Sequence, residues 1–442
     1  LLKREAGWVL LGLGVALLVL DVLAARLHVP GQLGIGSDRR LREFVALMVL
    51  EGAIYLAAAR LVCRVVLKRR MVAVIILLAL AMRGVVLAGP PFLSTDIHRY
   101  VWDGMVQDAG INPYRYIPDA PALSFLRTPA IYPGINRKDT ARTIYPPAAE
   151  AIFALVARVS PTILAMRLAM TGFDLLAMLA LLALLRLAGR PASWILLYAW
   201  HPLPIWEFAG NGHVDAIVVG FVAVALLLAA RARQGLAAAA LTGAVLAKFL
   251  PLALLPALWR PARWTMPAIM LAITVALYGH YADVGMHVFG FLGGYVDQEG
   301  IASGQGIFWL LALSRVIALP GWANLAYDMA VALGLGGLGL AVWRRKLPAA
   351  GPARARSLAG DAGALAMGLS LAVTPHYPWY FTWLLVPICV MPTPAGLYMT
   401  ASAVLLYLDP IHTRILWPAL VLVPTLLMCA ARWRRLAGAG PA

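Results

Sequence analysis

The chain is 442 residues long, 62% hydrophobic and only 13% charged, which excludes a water-soluble protein of this size because its surface could not be covered. Its 37 basic and 20 acidic residues give a net charge of +17. In a soluble domain that excess would suggest nucleic acid, but here it falls as short clusters between apolar runs, so no nucleic-acid partner is expected. Thirty prolines and 39 glycines in so apolar a chain do not signal disorder. Cys63, Cys389 and Cys429 lie inside apolar stretches, so neither a disulfide framework nor a zinc site is expected.

A helix needs about 20 apolar residues to cross the hydrocarbon core. Candidate spans fall at 7–27, 44–67, 71–89, 162–187, 191–206, 213–231, 265–280, 322–343, 357–374, 379–392, 395–408 and 413–431. The first shows no trusted cleavage site and reads as a span rather than a signal peptide. The stretch 235–258, with Lys248, Pro251 and Pro256, reads as two short helices in a hairpin. The expectation is an all-α polytopic membrane protein, one domain over 1–442, with twelve to fourteen crossings. Two long outer segments, 90–147 and 281–321, are the places for function.

Orientation follows from the basic clusters. Lys3/Arg4, Lys68–Arg70, Arg186/Arg190, Arg231/Arg233, Arg260/Arg263, Arg344–Lys346, Arg354/Arg356 and Arg432–Arg435 fall on one side, which the positive-inside tendency makes cytoplasmic. Arg39, Arg40 and Arg42 are the exception, on the outer side. All eight histidines and all four asparagines map to or near the outer face, which places the chemistry there.

The third span ends at Gly89-Pro90-Pro91. Ser94 or Thr95 then caps a helix of about 15 residues that stops near Gly110. Asp96, Arg99, Tyr100, Asp103 and Gln107 share one face of it; Ile97, Val101 and Met105 form another. Asp96 in the first turn, with the helix dipole and Arg99 beside it, is expected to be ionised and fit to accept a proton. A purely structural role, capping the helix and pairing with Arg99, is the alternative, and Asp103 is the competing carboxylate. The tyrosine- and proline-rich remainder of the loop suits a rigid interfacial surface.

Three further segments carry polar groups in apolar surroundings. In 211–215, Asn211 can cap the next helix, Gly212 permits a tight turn, and His213 and Asp215 lie at the helix start. Lys248 must pair or reach a polar cavity, with a phosphate, Asp174 or Glu51 as candidate partners. His376 stands between two spans beside Tyr377, Trp379 and Tyr380, an aromatic group that could line a pocket, with a satisfied interface histidine as the alternative. Buried pairing is the default for Glu51, Arg83, Arg167 and Asp174. The run from Tyr295 to Glu299, and His412 with Arg414, are weaker candidates.

Together these segments resemble the GT-C superfamily of polyprenyl-phosphate-dependent glycosyltransferases. DIHRYVWDG with GINPYRY and TIYPP, HPLPIWEFAGNGHVDA (201–216), AVLAKFLPLALLP (244–256) and TPHYPWYFTW (374–383) are similar to segments of bacterial glycosyltransferase family 87 and mannosyltransferase-like proteins. The resemblance implies a GT-C-like helical bundle with interfacial helices in the first outer loop. It also implies a bacterial inner-membrane enzyme whose site faces the periplasm, with Asp96 as general base. The sugar, mannose by family tendency, would come from a polyprenyl-phosphate donor and pass with inversion to a glycan or glycolipid acceptor. Arg99, Tyr100, Asp103, His213, Asp215, Lys248, His376, Tyr377, Trp379 and Tyr380 would bind substrate. No cofactor beyond the lipid-linked sugar and no divalent metal is expected, because cationic side chains can hold the leaving phosphate. A transporter or flippase would instead need polar residues running through to the cytoplasmic half, and a glycan ligase a larger acceptor cleft.

Overall fold

The computed structural model describes residues 2–28, 38–291, 293–294, 297, 299–301, 303–408 and 415–438. Among these residues all regular structure is helical. The longer helices are α1 (Leu2–Ala25), α2 (Asp38–Arg64), α3 (Arg69–Ala88), α4 (Asp96–Asp108), α5 (Pro147–Val159), α6 (Ile163–Leu187), α7 (Asp215–Ala230), α8 (Gln234–Val245), α9 (Thr265–His280), α10 (Ala323–Arg344), α11 (Gly351–Val373) and α12 (Leu416–Gly438). In lipid every backbone polar group must be satisfied within the segment, so apolar runs of this length become helices.

Among the described residues, six helices are long and apolar enough to span a membrane, within α1, α2, α3, α6, α10 and α12. A seventh is possible if α9 and Ala282–Phe289, bent by 110°, form one broken span. The chain is an all-α polytopic membrane protein, but fewer full-length spans are present than the twelve to fourteen expected. Part of the difference lies in apolar runs broken by proline; the expected spans 213–231 and 357–374 are instead the unbroken α7, only 16 residues long, and α11, which is not apolar enough to count. The run 191–206 is not one helix: it divides into Ala192–Ile195, Leu196–Ala199, Pro202–Pro204 and a π-helical Ile205–Gly210. Pro202 and Pro204 lack the N–H a continuous helix needs, and His201 Nδ1 accepts the Leu203 N–H at 3.1 Å instead. The runs 379–392 and 395–408 become the shorter apolar elements Pro378–Val390 and Pro394–Leu408. The 235–258 hairpin appears as α8 followed by Leu250–Leu254 and Leu255–Leu258.

Arg83, Asp174 and Arg167 are paired inside the bundle as their cost in lipid demands, but Glu51 is not: among the described residues its buried Oε1 has no hydrogen-bond partner, and the charged group beside it is the Asp21 carboxyl. Arg83 Nε lies 2.5 Å from Asp174 Oδ2, and Tyr198 donates to the same carboxylate at 2.7 Å. Arg167 takes no carboxylate. Its guanidinium donates to the carbonyls of Ala209 (3.0 Å), Val86 (2.8 Å) and Gly89, joining α3, α6 and the π-helical turn. Loss of one partner of the Arg83–Asp174 pair would leave a buried charge, a cost of about 3–5 kcal/mol.

The bundle has two unlike ends. Arg354 donates to Ala229 O (2.9 Å), Arg356 to Ala188 O (2.8 Å), and Arg260 and Arg345 share Asp361 (2.7 and 2.9 Å). The basic clusters therefore gather at the C-terminal ends of α6, α7 and α10 and the N-terminal end of α11. The opposite ends of α3, α7 and α11 lead to α4, Asp215 and His376. The 16 residues of α7 separate these ends by about 24 Å at about 1.5 Å per residue. Arg39, Arg40 and Arg42 sit at the α4 end, since Phe44 packs 5.5 Å from Phe92 just beyond α3.

Candidate active site

A cavity of about 600 Å³ opens between the start of α4, the loop before α5, the start of α7, the Lys248 turn and the segment after α11. Nine of the eleven site residues expected from sequence line it: Asp96, Arg99, Tyr100, Asp215, Lys248, His376, Tyr377, Trp379 and Tyr380. Asp103 and His213 do not.

Asp96 is the first residue of α4, its N–H accepted by Ser94 Oγ at 3.2 Å. The side chain keeps 25% exposure, toward the cavity. Asn136 Nδ2 donates to Oδ1 at 2.7 Å. Burial pushes the carboxyl above the ordinary carboxylate range; the Asn136 hydrogen bond and the charges of Lys248 and Arg137 pull part of the way back. Arg99 does not supply the countercharge expected of it. Its Nε binds both Asp103 oxygens, at 2.9 and 3.1 Å, and its Nη1 donates to Ala141 O at 3.1 Å. The i+4 carboxylate wins over the i−3 one because it is buried beside Arg99.

Asp103 therefore belongs to a network behind the cavity rather than to its wall. Glu150, fully buried on α5, accepts from Thr143 Oγ1 at 2.6 Å and from Gln107 at 2.8 Å, and Tyr281 donates to Gln107 at 2.8 Å. Burial raises both carboxyls, Glu150 well above the usual range with Asp103 beside it. The network ties α4 to α5 and to the second long segment. Tyr100 adds stacking, with its ring 4.7 Å from Phe153 and nearly parallel.

Gly212 makes the tight turn expected at this position and does so with φ +72°, in the left-handed region, but Asn211 does not cap α7. It accepts the Leu93 N–H at 3.2 Å and so fastens the strand of chain leading into Asp96. His213 lies under the site: Nδ1 is 3.9 Å from Asp96 Oδ2, Nε2 is 3.5 Å from Glu207, and the ring stacks on Trp379 at 4.1 Å. Trp379 stacks in turn on Tyr377 at 4.4 Å and 7°, so the aromatics form a layered wall.

Lys248 pairs with neither Asp174 nor Glu51. Its Nζ is 2.9 Å from both oxygens of Asp215 and 3.6 Å above the Tyr380 ring. His376 Nε2 lies 2.7 Å from Gly306 O and Nδ1 3.3 Å from Glu299. Not every histidine serves this end: His201 packs against Tyr55 at 4.5 Å, away from the cavity. Asn136, Arg137 and Arg142 line the cavity and were not foreseen as site residues; the only sequence signal was their place in the turn-rich 131–142 stretch. Glu299 closes the run from Tyr295 to Glu299 named from the sequence; its neighbours Tyr295, Val296 and Gln298 lie outside the described residues, as do His412 and Arg414. Among the described residues, no group of three His, Cys, Asp or Glu side chains is arranged to hold a metal ion.

Residues 7–262, more than half of the chain, match the family model described as alpha-(1->6)-mannopyranosyltransferase, N-terminal domain, of the MptA_B family. The chain belongs to this family. It is a GT-C-like mannosyltransferase of the membrane, and the matched region contains Asp96, Asn136, Arg137, Asp215 and Lys248. The aromatic wall and Glu299 lie beyond it. No curated protein and no solved structure gives a match.

Proposed function

We propose that the chain transfers one mannosyl residue from a polyprenyl-phosphate donor to an acceptor hydroxyl at the outer face of a bacterial inner membrane, with Asp96 as general base. The observation that carries this reading is the Asp96 carboxylate at the wall of a cavity of about 600 Å³ that also presents Arg137, Arg142 and Lys248. A hexosyl phosphate needs that pairing of a base with a cationic wall. The cavity lies at the opposite end of the bundle from the basic clusters, and under the positive-inside tendency this supports an outward-facing site.

In the proposed reaction the acceptor oxygen attacks the anomeric carbon while Asp96 takes the hydroxyl proton. The new C–O bond forms on the face opposite the bond to phosphate, and the departing electron pair stays on the phosphate oxygen, where cationic side chains stabilise it. Displacement from the opposite face inverts the anomeric centre. The family description names an alpha linkage, so the donor would be a β-mannosyl phosphate. Tyr377 and Tyr380 offer rings against which the sugar's apolar face can lie, with Trp379 stacked behind Tyr377 as backing. Asn136 holds the carboxylate in place.

The test uses purified protein in liposomes with two labelled donors, polyprenyl-phosphate mannose and GDP-mannose, and membrane glycolipid extract as acceptor. Transfer from the lipid-linked donor alone is expected. Transfer from the nucleotide sugar alone would overturn the donor assignment.

A further inference from the structure

Glu299 comes from the second long segment, yet its side chain is only 8% exposed and lies in the cavity wall. Oε1 is 3.5 Å from Nη2 of Arg137, which follows α4; Oε2 is 3.3 Å from Nδ1 of His376, which follows α11. One carboxylate thus bridges two nitrogen groups from two other parts of the chain. Arg137 has φ +50°, and Thr374, two residues before His376, has φ +48°. Left-handed backbone costs a non-glycine residue roughly 1–3 kcal/mol, and a β-branched one is a genuine outlier.

The turn carrying Glu299 is equally constrained. The Gly306 N–H donates to Gly300 O at 2.9 Å, and a Cβ on Gly306 would fall 1.9 Å from the Glu299 carbonyl oxygen. Thr374 Oγ1 accepts the Phe308 N–H at 2.9 Å, so the same strained residue fastens the chain just beyond this turn. Backbone strain on two sides and a glycine-only turn on the third converge on a single arrangement, in which two anionic oxygens are set between Arg137 and His376. A phosphate presents the same pair of oxygens. Lys248 is bound differently: Asp215 holds it bidentate at 2.9 Å, with Tyr380 beneath it.

We infer that Glu299 stands in for the donor's phosphate, and that Arg137 and His376 hold this phosphate once Glu299 has withdrawn. The inference rests on the polyprenyl-phosphate reading above. A mannosyl phosphodiester carries one negative charge. When the bond to the anomeric carbon breaks, the electron pair passes to phosphate, and the monoester that leaves carries up to about two. A carboxylate kept on Arg137 and His376 would repel that growing charge, so Glu299 must be displaced before the bond breaks. It then sets donor affinity by competing for the same two partners.

The experiment measures binding of a short-chain polyprenyl monophosphate, and of the matching polyprenol, to the detergent-purified full chain by calorimetry, alongside donor KM and kcat. Glu299→Gln is expected to bind the phosphate about tenfold more tightly and to lower donor KM, while Arg137→Gln binds it about tenfold more weakly. Each change is on the scale of one charge-assisted hydrogen bond. Polyprenol binding should not change in either variant. Glu299→Ala, read in the same way, serves if the glutamine variant is recovered poorly. Weaker or unchanged phosphate binding in both Glu299 variants would make Glu299 a structural clamp and overturn the inference. If the wild type binds polyprenyl phosphate and uses the lipid donor in that case, the phosphate seat alone falls. A wild type that ignores polyprenyl phosphate and uses GDP-mannose sinks both readings.

Discussion

Lys248 and Asp215, 33 positions apart, form a bidentate ion pair at the cavity, with Nζ 2.9 Å from each carboxylate oxygen. The pair closes the turn between α8 and Leu250 onto the first turn of α7. With side-chain exposures of 20% and 5%, it is shielded enough that removing one partner strands the other. Lys248→Met is expected to lower stability by about 3–5 kcal/mol, and Asp215→Asn by a similar amount. The double variant should recover part of that loss. Thermal unfolding of the detergent-purified variants measures all three.

The pH profile should carry the mark of a buried base. Asp96 accepts a proton only when ionised, and burial raises its pKa above the ordinary carboxylate value. The rate therefore rises with pH through that raised pKa and falls on acidification sooner than an ordinary carboxylate would dictate. Asn136→Ala removes a hydrogen bond that favours the charged form, so it should shift the acid limb of kcat/KM to still higher pH. An unmoved limb would separate Asn136 from the base.

Asp103 provides the contrast. It lies behind the cavity, bound to Arg99 and beside Glu150. Asp103→Asn keeps the shape but leaves the buried Arg99 guanidinium without its countercharge, so stability should fall by about 3–5 kcal/mol while kcat/KM stays within a few-fold. Unfolding curves and steady-state transfer rates, measured on the same preparation, check both halves.

Sidedness is open to a chemical test. Phe125 is 69% exposed on the short helical turn Pro121–Leu126, in the segment between α4 and α5. In a chain with Cys63, Cys389 and Cys429 replaced by alanine, Phe125→Cys should react with a membrane-impermeant maleimide added to intact spheroplasts. Reaction only after permeabilisation would place the site on the cytoplasmic side.

Much of the bundle could be read from the chain because lipid leaves apolar runs few alternatives. The Gly89-Pro90-Pro91 break and the Ser94–Asp96 start located α4 to within two residues of its observed Asp96–Asp108 extent. The partner choices were less legible. Arg99 has carboxylates at i−3 and i+4 that share its face, and only the burial of Asp103 and the Ala141 carbonyl decide between them. Lys248 visibly needed a partner, but Asp215 lies at the end of another helix, and nothing local links the two. The broken segment at Pro202 and Pro204 was read through as one span because its composition stays apolar while its hydrogen bonding does not. Arg137 and Glu299 come from loops whose paths are set by the helices they join, so their meeting at His376 has no signature in either stretch alone.

The base assignment is tested most directly by Asp96→Asn, an isosteric change that removes the negative charge and keeps a side chain able to bond Asn136. Transfer from polyprenyl-phosphate mannose is measured on protein whose unfolding curve matches the wild type. A drop in kcat of at least about 100-fold, the scale of a lost general base, is expected, with binding of polyprenyl monophosphate retained. A variant that is folded and still transfers mannose at the wild-type rate would contradict the role given to Asp96.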